Sequence, residues 1–217
     1  MKLAAIIGVT LPLLCLLGAA EDHPATIGDF NARADVGKVE HPGSAEYDAS
    51  KREYRVTGSG DNIWAARDAF HFLWRKVSGD LTLQADIRFD GKGKVAHRKA
   101  CLMIRQSLEP DAPYADVAVH GDGLISLQYR KEGGGQTAET QSKLKNPATV
   151  RLERNGDRFT LSVAGQDGEC TPVGSITLSL HDPVFAGLAV CSHDPAVSET
   201  AIFSHLTIHA KADKAPQ

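Results

Sequence analysis

The chain has 217 residues, with 24 Lys+Arg against 27 Asp+Glu and a formal net charge of −3. Mild acidity excludes a binder of nucleic acid or of an anionic membrane surface, either of which needs a basic patch. No Lys/Arg cluster longer than two residues occurs outside mixed runs such as His97-Arg98-Lys99.

The first element is a leader. Met1-Lys2, an apolar run from Leu3 to Leu17, and Gly18-Ala19-Ala20 before Glu21 read as a secretory signal peptide over 1–20. The run is short for a bilayer span and polar residues follow it, so no membrane insertion is expected after cleavage. Cys15 follows Leu13 and Leu14 instead of the small residue that a lipidation motif places there. Export puts the chain in the periplasm or outside the cell. Cleavage near Ala20 leaves about 197 residues, one domain by length. Removing Lys2 takes the charge from −3 to −4.

Residues 21–42 form an irregular lead-in carrying Pro24, Gly28, Gly37 and Pro42, with one short strand around Val36–Glu40. Ser44–Asp48 and Glu53–Thr57 are short strands. Gly58-Ser59-Gly60-Asp61-Asn62 is turn chemistry, able to accept positive φ or to aim backbone groups at a ligand. In Asp68–Arg75, the residues Phe70, Phe72 and Trp74 share a parity and build an aromatic ridge for the core, with His71 opposite. Leu81–Phe89 alternates again, its Thr82, Gln84, Asp86 and Arg88 side reading as solvated sheet surface. Asp90–His97 is a loop.

Lys99 to Arg130 holds three alternating runs. Leu102 and Ile104 oppose Cys101, Met103 and Arg105. Val117 and Val119 oppose Asp116, Ala118 and His120. Ile125, Leu127 and Tyr129 oppose Ser126, Gln128 and Arg130. The period of two sends one set into a core. The other set is rich in hydrogen-bonding groups of mixed charge, and the three strands, if neighbours, present it on one surface. Lys131–Gly135 and its surroundings read as a loop. Ala148–Arg154 and Arg158–Ala164 flank Asn155-Gly156-Asp157, a strong hairpin signal. Gly165–Val173 is a loop with Cys170. Strands follow at Ile176–Leu180, Phe185–His193 and Thr200–His209, then a polar tail over 210–217. No amphipathic helix of useful length appears. Strands and turns at this spacing predict an all-β protein, a two-sheet antiparallel β-sandwich or jelly roll over 43–209.

Three cysteines remain after cleavage, and an odd count leaves at least one free. Cys101 and Cys191 read as buried small hydrophobes, bridged only if their strands are suitable neighbours. No zinc-type Cys/His spacing is present, and neither a metal nor a cofactor is expected.

With GSGDNIWAARDAFHFLWRKVSGD, KACLMIRQSL, YADVAVHGDGLISLQYR and AGLAVCSHD on the page, the chain resembles the bacterial domain of unknown function 1349 family, within the concanavalin A-like lectin/glucanase superfamily. These motifs span about residues 43–208. The resemblance implies a concanavalin A-like jelly roll whose curved, concave sheet binds or cleaves carbohydrate. Relatives occur beside glycan-active enzymes, which implies a glycan-related role without supplying an activity.

The candidate ligand-binding set is His71, Arg105, Asp116, His120, Gln128, Arg130 and His193, with Trp64 at the rim. Sugars need paired polar groups for hydroxyls and an aromatic face for C–H surfaces. Two arginines would suit an acidic sugar. Each residue also has a plainer role open to it: His71 inside a polar patch, His120 and Asp194 at turns, Arg105 with Asp116 as a cross-strand ion pair. Catalytic residues are not identified. The E-x-D-x-x-E signature of jelly-roll glucanases is absent, and Glu109-x-Asp111 lacks a second Glu at the needed spacing. Three readings stand: a glycan-binding module, a glycan-active hydrolase or lyase on the same face, and an envelope module binding a protein partner. Oligomeric state is left open.

Overall fold

The computed structural model describes residues 26–146, 149–165 and 168–211; the leader at 1–20 and tail residues 212–217 lie outside them. Two seven-stranded antiparallel sheets form a sandwich. The first has the order β1 (Ala32–Val36), β6 (Phe70–Val77), β15 (Val184–Cys191), β8 (Lys99–Arg105), β9 (Tyr114–His120), β10 (Ile125–Arg130) and β11 (Ala138–Gln141). The second has the order β14 (Cys170–Thr177), β13 (Arg158–Ala164), β12 (Thr149–Asn155), β7 (Leu81–Phe89), β16 (Glu199–Ala210), β3 (Glu53–Gly58) and β2 (Ser44–Asp48). A separate hairpin pairs β4 (Ile63–Trp64) with β5 (Arg67–Asp68). Among the described residues there is no helix.

Parity sorts the side chains as alternation demands. Leu73, Leu102, Ile104, Val117, Ile125, Leu127, Leu188 and Val190 of the first sheet meet Leu83, Val150, Leu152, Leu161 and Phe203 of the second in the main core. The predicted hairpin at Asn155-Gly156-Asp157 joins β12 to β13, and Gly156 holds φ +56 there. Three local differences have local causes. The lead-in supplies edge strand β1, slightly earlier than expected, because Ala32–Val36 registers against Trp74–Phe70 of β6. The stretch after Gly135 forms β11, which pairs with β10 from Ser126 to Tyr129. Cys170 begins strand β14 instead of sitting in a loop.

A second, smaller core lies on the opposite face of the first sheet. It gathers Val36, Ile63, Phe70, Phe72, Cys101, Met103, Tyr114, Ala118, Ala189 and Cys191. The aromatic ridge thus packs on the outward face, while Leu73 enters the main core. What covers this face is the segment from Gly58 to Asp68. Gly60 holds φ +126, and a Cβ there would stand 2.0 Å from the Ala69 carbonyl oxygen, so the segment can press onto the sheet only with glycine.

Candidate functional site

Two of the expected binding residues hold the covering hairpin in place. Arg130 is fully buried and donates from Nη1 and Nη2 to both carboxylate oxygens of Asp68, at 2.8 and 2.7 Å. Its Nε and Nη2 reach the Ala65 carbonyl at 3.1 and 3.0 Å. Ala65 sits at the hairpin tip with φ +50, and its oxygen also accepts from Thr137 N and Oγ1, each at 3.0 Å. Arg105, equally buried, donates to the carbonyls of Ser107 and Glu109 and lies 3.5 Å from Asp68 Oδ2. Burial pushes the Asp68 carboxyl up, against the pull of both guanidiniums. The expectation of an exposed arginine pair is therefore corrected. Asp68 takes the fork of Arg130, backbone carbonyls take most of Arg105, and both guanidiniums are buried away from solvent.

Asp116 shares the outward face but is also fully buried. It stands opposite Met103 and Gln128 in register, not opposite Arg105, so the expected cross-strand ion pair does not form. Neither of its carboxylate oxygens has a hydrogen-bond partner. Burial pushes its carboxyl up to about 8, with Lys99 opposing and Asp68 adding to the rise. His71 points the other way, to the main-core side beside Leu73. Its Nδ1 meets Asp35 Oδ1 at 2.7 Å, and burial lowers its pKa despite that carboxylate. His71 is corrected to a histidine tied to a lead-in aspartate, on the face opposite the other candidates.

His120, Gln128 and His193 do come together. They line a cleft of about 330 Å³ with Asn62, Trp64, His97, Lys99, Leu124, Glu139 and Gln141. The floor comes from β8–β11, one wall from the hairpin, and the rim from the loops bearing His97 and His193. Lys99 organises it. Its ammonium donates to Asn62 Oδ1, Ile63 O and Gln128 Oε1 at 2.9, 2.8 and 3.1 Å, which uses all three of its protons and binds hairpin to sheet. It also lies 5.2 Å from the centre of the half-buried Trp64 ring.

These bonds fix the polarity of the neighbours. Asn62 takes the lysine on its oxygen, so its Nδ2 donates to His193 Nε2 at 3.3 Å. Gln128 Nε2 and Gln141 Nε2 donate to Glu139 at 3.4 and 2.6 Å. Burial would raise the Glu139 carboxyl, but the hydrogen bonds from Gln141 and Gln128 bring it below its ordinary value, and it is ionised. His120 Nδ1 must donate to the Leu124 carbonyl, 3.1 Å away, which leaves Nε2 bare. Burial first, then Lys99, lowers its pKa to about 4, so the ring is neutral. His97 packs edge-on against His120, with centroids 5.9 Å apart, and tilted against His193 at 5.8 Å. His193 itself holds φ +58, and Asp194 beside it accepts from Ala196 N at 3.0 Å, the expected turn cap. Among the described residues no group of three or more His, Cys, Asp or Glu is placed to hold a metal.

Lys99, Asn62, Glu139 and Gln141 are cleft residues absent from the sequence-derived set. Lys99 has the parity of Cys101 and Arg105, so the signal for it was present. Glu139 and Gln141 lay in a stretch without a strand signal of its own. The three described cysteines are free. Cys101 stands opposite Ala189, and Cys191 opposite Lys99, so the two are diagonal neighbours, about 7–8 Å apart between Cα atoms where a bridge needs about 4.4–6.8 Å. Cys191 instead donates its thiol to the Gly60 carbonyl at 3.3 Å.

No family model matches the sequence, and no curated protein matches it. Solved structures match the fold. A Saccharomyces cerevisiae protein described as functionally unknown aligns with TM-score 0.63 at 14% identity, over 86% of this chain and 99% of that one. Carbohydrate binding module CBM66 from Bacillus subtilis aligns with TM-score 0.51 at 17% identity, over 84% and 98%. A Corynebacterium alginate lyase aligns with TM-score 0.51 at 11% identity, over 82% and 93%. The architecture is the concanavalin A-like jelly roll, a fold used by carbohydrate-binding modules and by enzymes that hydrolyse or eliminate across glycan bonds.

Proposed function

We propose that this protein is a carbohydrate-binding module whose cleft takes a neutral, hydroxyl-rich sugar against Trp64. One observation carries the reading: beside a half-buried indole the cleft presents hydrogen-bond acceptors. His120 offers a bare Nε2 and Glu139 an ionised carboxylate, while Lys99 has no proton left to give. Sugar hydroxyls supply the missing donors, and a sugar's C–H face suits the ring. Lys99 and Glu139 cancel in charge, and with Arg105 and Arg130 buried and spent on Asp68 and backbone carbonyls nothing favours an acidic sugar. The volume lies near the low end of ligand cavities, about 300–1,000 Å³. The motif resemblance to the domain of unknown function 1349 family agrees, and the leader at 1–20 would deliver the module to the periplasm or the cell exterior, where glycans are found.

Binding is favoured over hydrolysis by the carboxylates. Glycosidases place two carboxyl groups about 5–5.5 or 6.5–9.5 Å apart across an open space. Glu139 is the one carboxylate among the described lining residues. Asp116 lies two strands away on the same face, with Gln128 between them in register. That glutamine fills the place a water and a scissile bond would need.

The test is a glycan array probed with the wild type, with Trp64→Ala and with Arg88→Ala, the last on the exposed face of the second sheet. Retention of neutral glycans by wild type and Arg88→Ala, lost in Trp64→Ala and with no product released, is expected. Equal retention by Trp64→Ala would refute the cleft, and released product would make the protein an enzyme.

A further inference from the structure

Resting on the carbohydrate reading, we infer that the cleft is blind and recognises the end of a glycan chain instead of an internal stretch. A polysaccharide lying across a concave sheet needs two exits. Here the floor runs from β8 to β11, and β11 is the edge of its sheet, so the cleft opens to solvent past the exposed Gln141. On the other side β15 follows β8, and there the covering segment is bonded straight onto the sheet. Lys99 Nζ meets Ile63 O at 2.8 Å, and Cys191 Sγ meets Gly60 O at 3.3 Å.

Beyond that contact the outward side chains of β15 and β6, Ala189, Phe70 and Phe72, are fully buried, and no groove continues over them. Along the strand direction, one end is shut by the buried Asp68–Arg105–Arg130 cluster, and the other is bordered by the exposed His97 ring, which packs against His120 and His193. A sugar seated on Trp64 therefore has one way out, over β11. A ring with both neighbours attached would drive one of them into the hairpin.

The experiment measures site density by calorimetry on soluble neutral polysaccharides (β-glucan, xylan and mannan), each intact and after partial hydrolysis to shorter chains. Binding sites per unit mass should rise in proportion to the number of chain ends, and Trp64→Ala should lose them all. A density unchanged by shortening would overturn the blind cleft while leaving the carbohydrate reading in place. No binding by the wild type to any intact or shortened glycan would overturn both. Binding that scales with ends but survives in Trp64→Ala would move recognition away from this cleft and overturn the inference.

Discussion

Replacing Asp68 by alanine should loosen the hairpin that makes the cleft. The Asp68 carboxylate accepts from Arg130 at 2.7 and 2.8 Å and neighbours Arg105 at 3.5 Å, all three groups buried. Hydrogen bonds to charged groups contribute about 1.5–3 kcal/mol each, and removing one partner of a buried pair costs about 3–5 kcal/mol because the other charge is stranded. Arg130 keeps the carbonyls of Ala65, Ala112 and Gly135, which holds the loss to that second range. For a domain of this size about 3–5 kcal/mol lowers the melting temperature by roughly 6–20 °C. Denaturant and thermal unfolding of Asp68→Ala measure the loss. The double variant Asp68→Ala/Arg130→Met should recover part of it, because one stranded charge is gone. An Asp68→Ala protein within about 1 kcal/mol of wild type would show that the arginine clamp does not hold the hairpin.

Asp116→Asn should stabilise the protein increasingly as pH rises. The folded carboxyl titrates near 8 against about 3.9 unfolded, so between these values the folded state holds the extra proton and stability falls with rising pH. The advantage of the variant should reach a few kcal/mol by pH 8, seen in unfolding curves, and a constant gap would contradict it. His120 has the opposite sign. Its folded pKa near 4 lies below about 6.5 unfolded, so the unfolded chain takes the proton first and stability is lost as pH falls through that window. His120→Gln should flatten this part of the acid limb in the same assay. Trp64→Ala should weaken glycan binding by about 2 kcal/mol or more, some 30-fold, in calorimetry. Only two tryptophans are present, so a glycan-induced change in indole fluorescence should persist when Trp74 is replaced by Phe and vanish in Trp64→Ala.

Much of the sandwich was legible because parity is a local signal. Each run from Lys99 to Arg130 sorted correctly between the two faces of its sheet. What alternation does not carry is which outward face another segment will cover. Arg130 and Asp68 are 62 residues apart, and nothing near either names the other. A hint was present: Cys101 and Met103 share the parity of Arg105, and apolar side chains on a polar face imply a lid. The Phe70–Phe72–Trp74 ridge misled for the same reason. Its alternation reads as main core with His71 outward, whereas both faces of β6 are buried from Phe70 to Leu73 and the ridge packs under the hairpin. His120 and Gln128 reach the cleft because they lie on the outward parity of β9 and β10, at the part of that face the hairpin leaves open.

The most direct measurement is the nitrogen NMR spectrum of the histidine rings during titration with a bound neutral saccharide. His120 Nε2 should begin as a bare nitrogen and shift as it accepts a hydrogen bond from a sugar hydroxyl, while the His71 ring, on the far side of the sheet, stays unchanged. A saccharide that binds and leaves His120 Nε2 unmoved would place recognition elsewhere on the molecule.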